Sequence, residues 1–139
     1  MEKQENTIVF GCGRLGSSLA NLFYDEGRDV TVIDRDKSSF RKLSLTYGGE
    51  MIEANGTDME VLKSLPLHEK TTAIVVTNQD NVNIMIAQLL KEEFHVKNVV
   101  SRLYDPERSC VYEKFGIDVI CPTELATQRI RAFLEAHHG

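Results

Sequence analysis

The chain has 139 residues, 42% hydrophobic and 27% charged, with a formal net charge of −5. That is enough for one domain with its own core, and the acidic balance argues against a general nucleic-acid binder, which needs a basic face. No apolar run approaches the roughly 20 residues of a membrane span, and the start Met1-Glu2-Lys3-Gln4-Glu5-Asn6 is too polar for a signal peptide, so a soluble, cytoplasmic chain without direct membrane insertion is expected.

Taken in order, Thr7-Ile8-Val9-Phe10 predicts a buried first strand, and Gly11-Cys12-Gly13-Arg14-Leu15-Gly16 a glycine turn that opens a helix. In such a turn Gly11 permits the bend, Gly13 lets a pyrophosphate approach the backbone, and Gly16 lets helix and strand pack closely. The helix start offers free N–H groups and the positive end of its dipole to phosphate. Leu15, Leu19, Leu22 and Phe23 share one face of that helix, and Gly27 ends it. Val30-Thr31-Val32-Ile33 is apolar and β-branched, as a strand covered on both faces should be. It ends in Asp34, eighteen residues after Gly16, close to the spacing of a ribose-binding acid.

A helix over Ser38–Tyr47, stopped by Gly48-Gly49, leads to a third strand beginning at Met51-Ile52. Asn55-Gly56-Thr57-Asp58 is a turn that caps a short helix from Met59 to Leu65, closed by Pro66. Ala73-Ile74-Val75-Val76 reads as a central strand, and Thr77–Asn81 as a polar loop before a long helix with Val82, Met85, Ile86, Leu89 and Leu90 inside. Asn98–Arg102 is the fifth strand, Pro106–Phe115 the fifth helix and Val119-Ile120 the sixth strand. Pro122 begins a last helix carrying Leu125, Ile130, Phe133 and Leu134.

Strand and helix alternate throughout with short connections. That pattern predicts a single α/β domain over residues 1–139, a Rossmann-type doubly wound parallel sheet of six strands in the order 3-2-1-4-5-6. A ligand crevice then lies outside the carboxyl ends of strands one and four. Gly11, Cys12, Gly13, Arg14 and Leu15 would present N–H groups to phosphate. Arg14 either adds a charge-assisted contact or is an exposed surface charge. Asp34 would accept from the ribose 2′- and 3′-hydroxyls and so disfavours a 2′-phosphate; Arg35 is read as stacking on adenine, although it could bind such a phosphate. Asn55, Gly56 and Thr57 follow strand three, where Asn55 and Thr57 either read the adenine edge or serve as caps. Thr77 and Asn78 follow strand four and would face the phosphates or whatever extends beyond them. Arg102 ends a buried strand and needs an anion, either ligand phosphate or a neighbouring acid.

The three cysteines, Cys12, Cys110 and Cys121, form no CxxC pair and suit a reducing compartment. Cys12 sits where a helix start can lower a thiol pKa, which leaves a redox-sensing role open, but a small residue fitting the turn is the simpler reading. His137-His138 reads as a frayed tail. No paired carboxylates, metal-spaced ligands or nucleophile elbow stand out, and no second region is evident to hold a substrate. Binding without chemistry is therefore expected, with no metal; the alternative is the cofactor domain of an NAD-dependent oxidoreductase.

The segments Val9–Gly16, Val32-Ile33-Asp34, Asn55-Gly56-Thr57 and Val75-Val76-Thr77-Asn78, with Arg102 and Gly116–Pro122, resemble the RCK N-lobe, or TrkA N-terminal domain, from about Thr7 to Leu134. The resemblance implies a cytosolic regulatory, gating subunit of potassium transport. Such a subunit binds AMP, ADP, ATP or NAD(H), forms a homodimer and assembles into an octameric ring. The ring lies beneath the inner face of the membrane, on a TrkH- or KtrB-like pore. It further implies that the last helix crosses to the partner subunit, although packing on its own sheet would need the same apolar pattern. Members often carry a second, C-terminal ligand lobe; none is read here, which implies a stand-alone N-lobe or a shortened chain. Some place a glutamate directly after the proline, where this chain has Thr123, with Glu124 one residue later, so no metal site is carried over.

Overall fold

Strands β1 (Asn6–Phe10), β2 (Val30–Asp34), β3 (Glu50–Glu53), β4 (Thr71–Val75), β5 (Asn98–Arg102) and β6 (Asp118–Ile120) form one parallel sheet in the order 3-2-1-4-5-6. The computed structural model describes residues 4–138; the side chains of Cys110, Val111 and His138 lie outside what it describes, as do the readings placed on Met1–Lys3, Cys110 and His138. Helices α1 (Arg14–Asp25), α2 (Met59–Ser64), α3 (Asp80–Glu92), α4 (Ser109–Lys114) and α5 (Pro122–His138) complete the order expected of a doubly wound fold. Register is parallel and unbroken at the centre, with Val9 beside Val32 and Ile74.

The alternation of strand side chains divides the core in two. Val9, Val32 and Ile74 face α1, joined by Cys12, Ala20 and Val76. Ile8, Phe10, Ile33 and Val75 face the other way, onto Leu62 of α2 and Ile86 and Leu90 of α3. Both layers are buried because a parallel sheet needs cover on both faces.

Helix faces are rotated from the sequence reading. Helix α1 meets the sheet through Gly16, Ser17 and Ala20, so Leu15, Leu19 and Phe23 flank the contact and Leu22 is exposed. Small residues allow the close approach, and the large ones fill its sides. In α3 the buried positions are Asn83, Ile86, Ala87 and Leu90, while Met85 faces outward.

Two expected helices are not continuous. Ser38–Tyr47 is a 3-10 helix over Lys37–Lys42 followed by irregular chain. The reason is the density of short polar side chains, which offer the backbone other partners. The Asp36 carboxylate accepts from the Ser38 N–H and the Ser39 hydroxyl donates to the Asp36 carbonyl. Asn21 Oδ1 accepts from the Ser44 N–H, and the Ser44 hydroxyl accepts from the Thr46 N–H. Gly48 and Gly49 are therefore not helix stops. A side chain at either would run into the hydroxyl ends of Tyr24 and Tyr47, respectively. Likewise Pro106–Phe115 divides into a 3-10 turn, Pro106–Arg108, and α4.

Helices α1 and α4 end on left-handed glycines, Gly27 (φ +85°) and Gly116 (φ +71°), but His95 takes that conformation after α3 at φ +55°. A side chain in the left-handed region costs about 1 kcal/mol relative to glycine. His95→Gly is therefore expected to raise stability by about 0.5–1 kcal/mol, read as a later midpoint in urea. An unchanged or earlier midpoint would show that the imidazole makes up the cost. No helix among the described residues is long and apolar enough to cross a membrane.

Candidate nucleotide site

A cleft of about 340 Å³ opens at the carboxyl ends of β1, β2 and β4, within the size range of small-ligand pockets. Gly11, Cys12, Gly13, Asp34, Arg35, Asn55, Gly56, Thr77, Asn78 and Arg102 line it, so the fold gathers most of the residues singled out in the sequence. Arg14 is exposed on the helix surface, Leu15 packs on the core and Gly16 serves helix packing. Thr57 also stays out of the cleft: its N–H and hydroxyl both donate to Asn55 Oδ1, at 3.0 and 2.8 Å, in a turn that places Asp58 to cap α2.

The three glycines of the turn do different things. Gly11 has φ +104°, and a Cβ there would stand 2.9 Å from the Thr77 nitrogen and the Val76 carbonyl oxygen. A Cβ on Gly16 would strike the Gly11 carbonyl oxygen. Gly13 is different, since its φ of −80° suits any residue and nothing lies within 4 Å of a Cβ built on it. The fold requires the outer two glycines, while the middle one opens on empty space in the cleft.

The N–H groups of the turn are not all available. The Gly11 N–H donates to the Ile33 carbonyl at 2.8 Å, and the Cys12 N–H donates to Asp34 Oδ2 at 2.7 Å. These two groups are therefore held by the protein, contrary to the expectation that they face phosphate. Gly13, Arg14 and Leu15 remain: among the described residues no acceptor meets their N–H groups, no side chain caps α1 and no acid lies in its first turn. An uncapped helix start at the wall of a cleft is suited to an anion. Asp34 is fixed from both sides, because its Oδ1 also accepts from the Asp36 N–H at 2.8 Å. Each oxygen keeps a lone pair for a ribose hydroxyl.

Cys12 is fully buried, and its thiol donates to the Ser39 carbonyl at 3.5 Å. Burial, with the Asp34 carboxylate second, pushes the thiol pKa up. A raised pKa and lost access remove the reactivity that a redox sensor needs, so the Cys12 side chain ties the glycine turn to the 3-10 segment instead. The Asp36 carboxyl is held below its usual range, first by the Ser38 hydroxyl and then by the Ser38 N–H.

Among the described residues Arg102 meets no acid. Its guanidinium donates to the carbonyls of Val76 (3.0 Å) and Thr77 (2.9 Å) and lies over the Tyr104 ring at 4.9 Å, while its buried Nε has no partner. Carbonyl dipoles orient the group without neutralising its charge.

Asn83 escaped the sequence reading. It is fully buried, accepts from the Thr77 N–H at 3.0 Å, and donates to the Thr77 and Arg102 carbonyls, each at 3.1 Å. One amide thereby fixes the chain at the ends of β4 and β5. The signal was present, as a polar residue spaced three, four and seven positions before Ile86, Ala87 and Leu90. Ser39, Lys42 and Gln79, which also line the cleft, left no such trace.

The TrkA-N domain model matches residues 7–122. A Trk system potassium uptake protein TrkA from Streptomyces coelicolor is 38% identical over 128 residues, which cover 91% of this chain and 57% of that protein. The chain thus spans little more than half the length of such relatives. Among solved structures, the TrkA-N domain of the inner membrane protein ybaL from Escherichia coli superposes with a TM-score of 0.82 at 15% identity, covering 96% of this chain and 99% of that one. A GsuK channel bound to NAD superposes at 0.70 and 14% identity, over 86% of this chain and 22% of the other. At these identities the structures speak to the fold alone. The family match and the identity to the Streptomyces protein go further: the chain belongs to the TrkA-N domain family.

Proposed function

We propose that this chain is the nucleotide-binding part of a cytosolic regulatory subunit of a potassium-transport system, and that AMP, ADP, ATP or NAD(H) occupies the cleft. The observation that carries the reading is the pairing of the uncapped start of α1 with the doubly anchored Asp34. One wall takes phosphate and the other takes ribose. Asn78 and Arg102 extend the cleft beyond the glycine turn, where a longer phosphate chain or a second nucleoside would lie.

Helix α5 supports an assembly. Its apolar residues Leu125, Ile130, Phe133 and Leu134 are 50–59% exposed, so packing on the chain's own sheet is not what they do. Exposed apolar faces of this kind mark interfaces, and a second copy of the chain is the proposed occupant, in the homodimer from which a ring beneath a TrkH- or KtrB-like pore is built. Nucleotide would act on that ring only through different affinity for its two shapes; equal binding would move nothing.

A thermal-shift panel of AMP, ADP, ATP, NAD and NADH on wild type and Asp34→Ala tests the site. A ligand at about 100 times its dissociation constant stabilises by about 2.7 kcal/mol, a rise of about 10 °C for a domain of this size. At least one nucleotide should give that rise in the wild type, and Asp34→Ala should lose most of it. A wild type that none of them shifts would sink the proposal.

A further inference from the structure

Asn83 stands in the first turn of α3, fully buried, and does not line the cleft. Burying an amide costs stability unless its polar atoms are bonded, and an apolar residue would fill the place without that cost. Here every bond is spent on two residues that do line the cleft. Oδ1 accepts from the Thr77 N–H at 3.0 Å and from the Thr77 hydroxyl, and Nδ2 donates to the carbonyls of Thr77 and Arg102, each at 3.1 Å. The Thr77 carbonyl also accepts from Arg102 Nη2 at 2.9 Å. The backbone and the guanidinium of Arg102 are thus both tied to one amide, the guanidinium through Thr77. Nη2 is turned back on the protein, while Nε is buried without a partner in a side chain that lines the cleft. The cation is oriented but not neutralised.

We propose that Asn83 is a positioning residue for the far end of the cleft: its amide holds Arg102 where the guanidinium meets the part of a nucleotide beyond the first phosphate. The inference rests on the nucleotide reading above, which puts the first phosphate on α1 and a longer phosphate chain beside Arg102. The amide matters as much for the charge it lacks as for its bonds. Asparagine and aspartate have the same shape, but only the amide brings two donors as well as an acceptor. A carboxylate would turn an oxygen on the Thr77 and Arg102 carbonyls. It would also lie within the ~4–6 Å over which opposite charges act strongly on each other, and so give the guanidinium an anion of the protein's own. Arg102 would then be drawn to that anion and lost to the ligand.

Titration calorimetry with AMP and ADP on wild type, Asn83→Asp and Asn83→Ser tests this, with each substitution repeated on Arg102→Gln. The wild type should bind ADP about tenfold more tightly than AMP, the equivalent of one good charge-assisted contact. Both Asn83 substitutions should remove most of that ratio, and on Arg102→Gln, which lacks it already, neither should lower it further. An amide that serves only the fold would weaken AMP and ADP alike, and a ratio kept in both variants overturns the proposal. So does a ratio that Asn83→Asp lowers as much on Arg102→Gln as on the native arginine, since the effect would not pass through the guanidinium. Equal binding of ADP and AMP by the wild type would overturn it too, while leaving the nucleotide reading intact. Failure of both ligands on folded protein would remove the two together. Should neither Asn83 variant fold, the side-chain amide signal of Asn83 in the wild type decides by NMR. A larger shift with ADP than with AMP bears the proposal out, and equal shifts overturn it.

Discussion

Gly16→Ala is expected to cost about 3 kcal/mol of stability, the upper end of what overpacking does, and to lower the melting temperature by about 10 °C. The added methyl is directed at the Gly11 carbonyl oxygen, with Val76 Cγ2 at 3.3 Å beside it. Neither neighbour has room to move. Gly11 is bonded through its N–H to Ile33 and lies against Thr77 and Val76, so the turn is closed from three sides. Relief would require α1 to lift from the sheet, opening the contacts of Ser17 and Ala20. Thermal unfolding followed by circular dichroism checks this, and a melting temperature within about 2 °C of wild type would show that the helix yields easily.

Gly13→Val should do the opposite. Its φ of −80° is open to any residue, and a Cβ there meets nothing within 4 Å, so the fold should be unharmed. Replacing glycine at a compatible position removes freedom from the unfolded chain, about 0.4–1 kcal/mol in favour of the fold, which offsets glycine's advantage over valine at the N-cap of α1. The branched side chain would, however, occupy the space in front of the Gly13, Arg14 and Leu15 N–H groups, where phosphate must come within about 3 Å. Nucleotide affinity should fall at least about tenfold, with the melting temperature of the free protein level or slightly higher. Lost stability with retained affinity would show that Gly13 serves the fold after all.

The strand order and the place of the cleft were legible because six apolar strands alternate with helices, and the position of a strand in such a sheet follows from that alternation. Gly11 and Gly16 were legible for a related reason, since the backbone there excludes a Cβ, whereas Gly13 and Asp34 were read from the spacing of the motif. What the sequence did not disclose falls into three kinds. The chain over residues 37–47 was misread because Phe40, Leu43 and Tyr47 mimic a helical stripe while the Asp36 and Asn21 side chains and the Ser39 and Ser44 hydroxyls take up backbone groups. The division of N–H groups between protein and ligand depends on where Asp34 swings back to meet Cys12, a contact across 22 residues that no local pattern encodes. Arg102 was expected to meet ligand phosphate or a neighbouring acid, and the strand-end carbonyls that hold it, unlike acids, leave no mark in a sequence.

Lys42 shows where sequence patterns run out most clearly. It lies eight residues beyond Asp34, on a segment whose path depends on the same misread hydroxyl contacts, and only the folded chain puts it in the cleft.

The most direct test of the central claim, that one cleft per chain seats adenosine between α1 and Asp34, is a competition titration. The chain is titrated with NAD, then again in the presence of saturating AMP. The account predicts one NAD per chain and an apparent affinity that falls in proportion to the AMP present, because both adenosines need the same seat. Full NAD binding at saturating AMP, or no measurable heat with either nucleotide, would contradict it.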